Sequence, residues 1–462
     1  MTRQCKGIRK LAKKTHGLAA RGLGALVALS PCFLSGISAQ AEDSGLKIDW
    51  SVFGDVRAYH VNGERGWFTD WLGKSRYGEN KDRQAQTKLD LAEISVMADI
   101  SYGWDWSAFV HGIYAKEDGN AGKGVNVGGL DLVEGYVQYK PAPKGRLSLS
   151  GRFGLMFPHI SRENVGAAWS SPYSITPSAI NSWIGEEVRT FGAEITAKQR
   201  FDHSDLSLTV SAFGLNDTAG ALLHFRGWAF GDYKAGAFSR LPLPKIPALY
   251  GRGQAGDVGH IDALFPEQAL RTNPIVELDD KVGWYASADW TNRQGLKLGA
   301  FYYDNRGEPS ALSQGQYGWR TKFYNLYADY AIGDWTLISQ VMGGTTKMGL
   351  RALDSDGTGQ WDYPANSKFE SAFILASRQW DQWRVSARVD GFRVKDRSFI
   401  FEDNNNEKGW STMMAAQYQL SDNFTLISEW MHIVNRRPVR AQIALPVKTT
   451  VDQILLSVRF QF

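Results

Sequence analysis

Residues 383–390 alternate without a break between two chemistries. Trp383, Val385, Ala387 and Val389 are apolar, while Arg384, Ser386, Arg388 and Asp390 between them are polar. Successive side chains of a strand point to opposite faces, so the stretch predicts a strand with one apolar and one polar face. The same pattern sets Trp104, Trp106, Ala108, Val110, Gly112 and Tyr114 against Asp105, Ser107 and His111. It also sets Leu147, Leu149, Phe153 and Leu155 against Ser148, Ser150 and Arg152. Like segments recur around 48–60, 84–100, 131–140, 188–200, 206–216, 281–291, 296–305, 319–331, 335–344, 368–379, 409–420, 424–434 and 450–462. The expectation is about sixteen strands, within 16–18.

The connections alternate in length. Short turns at 101–103, 141–146, 201–205, 292–295, 331–334, 380–382 and 421–423 interleave with long gaps at 61–83, 116–130, 157–187, 217–280, 306–318, 345–367, 396–408 and 435–449. That rhythm belongs to an up-and-down antiparallel sheet whose two ends lie on the short-turn side. No helices are predicted to cover so many apolar faces, which leaves lipid outside and water inside. In lipid every backbone polar group has to pair, so the sheet has to close. The fold class is therefore all-β, a transmembrane antiparallel up-and-down barrel with short periplasmic turns and long extracellular loops. Aromatics beside the short turns (Trp104, Trp106, Tyr139, Phe201, Trp290, Trp335, Trp380, Trp383 and Phe424) read as an interfacial girdle.

The two ends of the chain agree with this. Residues 1–41 carry seven Lys/Arg and no acid, then an uncharged apolar stretch, then Ala39-Gln40-Ala41, the layout of a cleaved signal peptide. The apolar core 22–34 is too short to span about 30 Å of hydrocarbon. Without that segment 45 basic residues stand against 48 acidic ones, a composition that gives no support to nucleic-acid binding. Both cysteines, Cys5 and Cys32, lie in the same segment, so residues 42–462 form one barrel domain without disulfides or thiolate ligands. At the other end Ile454, Leu456, Val458, Phe460 and Phe462 share the apolar face. A terminal Phe after alternating apolar residues resembles the assembly signal of bacterial outer-membrane proteins.

Sixteen strands enclose a lumen too wide for side chains to fill, so a water-filled channel is the default. Parity turns Arg57, Arg152, Lys198, Lys297, Arg384, Arg388 and Arg459 toward the lumen as pore-lining cations. Asp49, Asp55, Asp105, Glu134, Glu194, Asp289, Asp329 and Asp390 share that face, so each cation is equally a candidate for a structural ion pair. Long loops 157–187 and 217–280 are candidates to fold inward and narrow the channel. Within 218–255 Arg226, Lys234, Arg240, Lys245 and Arg252 face only Asp232 and are interleaved with Phe225, Trp228, Phe230, Tyr233, Phe238 and Tyr250. Folded inward, such a surface attracts anions and offers stacking faces. A loop covering the outer vestibule, or one making a trimer contact, is the other reading. The uncharged stretch 164–185 contains Pro172, Pro177 and five serines and reads as loop. The acidic pairs Glu186-Glu187 and Asp279-Asp280 read as solvated strand ends.

One segment is more specific. Arg152, Gly154 and Pro158 form R-x-G-x-x-x-P, followed by Glu163-Asn164, at the start of loop 157–187. This resembles the phosphate-selective porins and their relatives, in which the segment leaves a strand and begins an inward-folding loop. The resemblance implies a sixteen-stranded barrel, usually trimeric, passing small anions. His159 departs from the pattern, and no dense ladder of inward arginines accompanies it.

Catalytic signatures such as G-x-S-x-G and H-E-x-x-H are missing, and the histidines beyond residue 41 (60, 111, 159, 203, 224, 260 and 432) have no metal-ligand spacing. The sequence therefore predicts no enzyme, no cofactor and no metal. It predicts a bacterial outer-membrane porin for passive diffusion of small hydrophilic solutes, with anion preference, as a homotrimer in lipid. The alternatives are a channel selective for carboxylates or oligosaccharides, using Trp67, Phe68 and Trp71 as well, or a plugged barrel acting as receptor or adhesin.

Overall fold

The computed structural model describes residues 39–40, 45–70, 72–115, 127–250, 263–353, 361–398, 400 and 403–462. Sixteen antiparallel strands form a closed up-and-down barrel. In chain order they are β1 (Leu46–Asn62), β2 (Gln86–Tyr102), β3 (Trp106–Ala115), β4 (Gly129–Tyr139), β5 (Leu147–Met156), β6 (Thr190–Arg200), β7 (Ser204–Gly214) and β8 (Gly283–Asn292). The second half is β9 (Leu296–Asp304), β10 (Arg320–Ile332), β11 (Trp335–Met348), β12 (Ala365–Trp380), β13 (Trp383–Asp396), β14 (Glu407–Ser421), β15 (Phe424–Arg436) and β16 (Lys448–Gln461). Each strand pairs with the next, and β16 pairs back onto β1 from Phe53↔Gln461 to Asn62↔Asp452. A two-residue segment, Ala39–Gln40, lies beside Lys47 and Ile48 and adds no further barrel strand.

Closure reaches the last residue. Phe462 and Val52 exchange both backbone bonds, N–H to carbonyl, at 2.9 Å each. The Phe462 ring packs edge-on against Phe424 at 5.7 Å. The aromatics expected at the short-turn rim are all exposed, and Trp106–Tyr139 and Trp383–Tyr418 make ring contacts across neighbouring strands at 4.7 and 4.8 Å. The break in alternation at Leu91-Ala92-Glu93 is a bulge, with Asp55 opposite Glu93 but Val56 opposite Leu91. Gly154 explains the glycine of the R-x-G-x-x-x-P segment. It has φ +140°, and a Cβ there would lie 2.3 Å from the Gly135 carbonyl oxygen on β4.

The outer face is apolar, as alternation requires, but the inner face is not polar throughout. Tyr285, Phe301, Tyr303, Phe323, Phe369, Met413 and Met431 point inward and are buried. They are covered by chain from the long loops rather than by water. The barrel thus has an apolar core inside its lumen, which alternation alone did not anticipate. Strands β3–β9 are 9–11 residues long, whereas the other nine run to 13–17.

Two outcomes test this account. Deleting Phe462 is expected to slow or abolish folding into the compact form, read as loss of the heat-modifiable band in gel electrophoresis. Gly154→Ala is expected to destabilise the barrel by about 2 kcal/mol or more, because the new methyl group meets backbone in a left-handed conformation; a denaturant midpoint in detergent measures it.

Candidate functional site

The third long loop (157–189) leaves β5 and turns into the lumen. Phe157, Trp169 and Arg189 form a stack, with the two rings 4.1 Å apart and nearly parallel and the Arg189 guanidinium 3.3 Å from the Phe157 centroid. Between these residues the chain crosses to the opposite wall. Its tip is a short 3₁₀ turn, Ala167–Trp169, in which Ala168 and Trp169 both have positive φ, 51° and 56°. Ala168 N–H donates to Met97 Sδ on β2 at 3.2 Å.

The returning chain is held by carboxylates of the wall. Glu429 on β15 accepts from the N–H groups of Ile175 (2.6 Å) and Thr176 (3.0 Å). Arg388 on β13 pairs with Asp390 (2.8 Å) and Glu163 (3.2 Å) and donates to the carbonyls of Thr176 and Pro177. Ser178 then caps a nine-residue helix, α1 (Ala179–Glu187), by accepting from Asn181 N–H. The stretch read as loop from composition therefore contains a helix. All nine residues of α1 are buried, so it lacks the polar stripe that would reveal a helix in sequence. Trp183 packs its ring against Phe323 (5.2 Å), Phe369 (5.3 Å) and Trp228 (6.1 Å).

Glu186 and Glu187 are not solvated strand ends, being 0% and 1% exposed. Glu186 pairs with Arg226, and Glu187 accepts from Trp183 Nε1 (2.6 Å) and from Gly220 and Leu222 N–H groups. Those last two bonds seat the fourth long loop (215–282), whose short helix α2 (Ala221–Phe225) begins there. Further along this loop Asp232 bridges Arg57 on β1 (2.7 Å) and Arg76 from the first long loop (2.9 Å), while Lys234 reaches Glu93 on β2 (2.5 Å). Asp55 completes the cluster between Arg57 (2.7 Å) and Arg459 (3.0 Å).

The cations singled out in the sequence therefore have different positions. Arg226 and Lys234 lie inside the barrel and are neutralised by Glu186 and Glu93, whereas Arg240 and Lys245 are exposed. Arg252 falls outside the described residues. Of the wall cations, Arg57 and Arg388 are buried in ion pairs, Arg152 pairs with Glu194 (2.8 Å) and Lys198 with Asp205 (2.9 Å). Lys297 stands opposite Asp329 across β9 and β10. Arg384 lines a cavity. Trp67 and Phe68 pack edge-on against Tyr233 at 5.9 and 5.4 Å, and Trp71 lies outside the described residues. Sequence reasoning missed Lys74, a fully buried cation that pairs with Glu407 (2.6 Å) and donates to the carbonyls of Arg226 and Trp228. Only its position in a charged loop marked it.

Two cavities lie on either side of the tip and share Gly166 and Ala167 in their walls. One, about 560 Å³, is lined by Tyr136, Arg152, Phe157, His159, Arg162 and Trp169 among others. The other, about 510 Å³, runs from Phe53 and Arg459 to Arg384, Gln417 and the turn at Asp381. Above the tip a niche of about 10 Å³, the room of one water molecule, sits among Asp55, Glu93, Asp232, Lys234 and Arg459. Carboxylates with metal-ligand spacing occur once among the described residues, where oxygens of Asp217, Glu277 and Asp279 lie within 4.8 Å of one another. Backbone N–H groups of Leu278, Leu215, Asp280 and Lys281 already occupy them, which makes the cluster a clasp for the fourth loop.

No protein-family model and no curated protein sequence matches the chain. Solved structures do. The outer-membrane channel DcaP of Acinetobacter baumannii superposes with a TM-score of 0.55 at 11% identity, over 93% of this chain and 100% of that one. OmpF of Salmonella typhi, in complex with daunomycin, gives 0.48 at 11% identity over 92% and 100%. A loop-deleted OmpT, an outer-membrane protein of Vibrio cholerae, gives 0.48 at 9% over 90% and 100%. At such identities the likeness concerns the fold, that of porin-type outer-membrane channels.

The loop anchors generate two expectations. Arg388→Met leaves Glu163 and Asp390 without their cation, and removing one partner of a buried pair costs about 3–5 kcal/mol. Loop 157–189 should loosen, which single-channel recording would register as a larger, noisier conductance. Burial, reinforced by Asp279 and Glu277, pushes the Asp217 carboxyl up to about 7. The folded chain therefore keeps a proton there that an unfolded aspartate releases near pH 4. This contribution to stability is full below about pH 4 and lost as pH rises through about 7. Asp217→Asn should flatten that part of the pH dependence of the denaturation midpoint.

Proposed function

We propose that this chain is an outer-membrane diffusion channel for small hydrophilic solutes, narrowed by its third and fourth long loops and biased toward anions by a net positive cluster inside the barrel. The observation that carries the reading is the cluster where the fourth loop meets β1 and β2. There Arg57, Arg76, Lys234 and Arg459 are buried against Asp55, Glu93 and Asp232, four cations to three carboxylates, so the cluster sets one net positive charge beside the cavities without itself lining an open passage. An excess of one sign within low-dielectric walls concentrates counter-ions of the other. The packing of α1, α2 and residues 226–234 inside the barrel supports a narrow passage and a small conductance.

Selectivity for a particular solute is the second reading, favoured by the cavity of about 560 Å³. Tyr136 and Trp169 line it beside Arg152 and Arg162, which pair with Glu194 and Asp329, and Asp99 and Glu134 share the wall, a mixed lining suited to a polar solute that carries a ring or sugar. The R-x-G-x-x-x-P resemblance concerns the start of this loop, where Arg152 pairs with Glu194. Assembly as a homotrimer and removal of residues 1–41 belong to the same proposal. Light scattering of the detergent-extracted protein and its N-terminal sequence test them.

Single-channel recording of the refolded protein in a planar bilayer, with the reversal potential under a salt gradient, decides the main point. A small, anion-selective conductance is expected. Cation selectivity would sink the anion preference, and silence would sink the channel and leave a plugged barrel.

A further inference from the structure

Among the inward cations singled out above, Arg57, Arg152, Lys198, Arg388 and Arg459 each sit on a carboxylate. Arg384 does not. Its described partners are Ser377 Oγ (3.3 Å), Gln379 Oε1 and the ring of Tyr173, 5.2 Å from the guanidinium carbon. Two of its five N–H donors are used by these acceptors, and the guanidinium keeps its full charge. Strand register places it in a row, with Gln379 directly opposite on β12 and Gln417 directly opposite on β14. Gln417 is only 8% exposed, and its amide nitrogen has no hydrogen-bond partner.

Arg384 and Gln417 both line the cavity of about 510 Å³ beneath the loop tip. The rest of that wall mixes hydroxyls and amides, from Ser170, Ser171, Gln419 and Thr425, with apolar groups of Phe53, Pro172, Ile427 and Phe460. Arg459 also contributes, but its charge is spent on Asp55. Asp381 and Asp422 line the cavity too; both are exposed residues of the short turns, where water screens them, and neither pairs with Arg384.

We propose that Arg384 and Gln417 form an oxyanion subsite on the short-turn side of the loop tip, taking the carboxylate or phosphate head of a small hydrophilic solute. A planar guanidinium fork matches two oxygens of such a head, and the buried amide N–H supplies a third donor that the protein leaves unmatched. Gln379 and Tyr173 hold the guanidinium in place from the wall and from the loop. A cavity of about 510 Å³ admits a solute of metabolite size behind the head. The inference deepens the channel reading and rests on it for the solute's route, though binding itself needs no conduction.

The test is calorimetric titration of the full refolded protein in detergent with inorganic phosphate and, separately, acetate. Saturable binding of either is expected, weakened at least tenfold by Arg384→Gln and severalfold by Gln417→Leu, with Arg384→Lys intermediate. Heat-modifiability on gels checks that each variant is folded. If neither anion binds, or Arg384→Gln binds as tightly as the unaltered chain, the subsite is overturned. The same anions added to the short-turn side of a bilayer should block chloride current saturably, and not in Arg384→Gln. Binding without any conductance would keep the subsite and remove the channel.

Discussion

In hydrocarbon no backbone N–H or C=O can be left without a partner, and the rest of the architecture depends on that requirement. It forces the sheet to close, and closure forces β16 to pair with β1 to its final residue. The closed sheet has sixteen strands, and its lumen is wider than the strands' own side chains can fill. The chain then meets a second version of the same requirement. Loops that enter the lumen carry polar backbone into a partly dry interior, and those groups also need partners. Glu429, Arg388, Glu163 and Glu187 supply them, accepting from or donating to loop backbone.

This changes the meaning of the inward charges. Arg57, Arg388 and Arg459 hold loop chain against wall instead of facing open water. Buried ion pairs contribute little net stability once desolvation is counted, but losing one partner is expensive, so they fix geometry more than they add free energy. Aromatic residues do the complementary work higher in the lumen, where Trp183 closes a cluster with Phe323, Phe369 and Trp228. Arg384, which meets only Ser377, Gln379 and the Tyr173 ring, instead lines a cavity.

The barrel was legible because its signals are local. Period-two alternation and turn length can be read within a dozen residues. Parity likewise placed Arg57 and Arg388 on the inner face. What parity does not give is the partner: Asp232 lies 175 residues from Arg57, and Glu163 lies 225 from Arg388. The helix α1 escaped for another reason. A segment buried on every side has no amphipathic stripe, and its serines and prolines look like those of an exposed loop. The same blindness made Glu186-Glu187 look solvated, since nothing adjacent announces that Arg226 and the start of α2 will meet them.

The distance in sequence between loop 157–189 and its anchors also bears on the order of events. Ile175 is held by Glu429, 254 residues later in the chain, and Arg459 donates to the carbonyl of Ser171, 288 residues earlier. Contacts of such separation form late, because loop closure has to be met before they bring any gain. Those anchors are missing until the C-terminal strands have arrived, and only the contacts to earlier strands, such as Ala168 on Met97, can form before then. A half-built barrel presents that segment unsecured, with the apolar residues of α1 uncovered. The last strands to arrive finish the wall and also bring the acceptors and donors that lock the interior, so the final stage of assembly converts an open sheet into a closed barrel with its loops fixed inside.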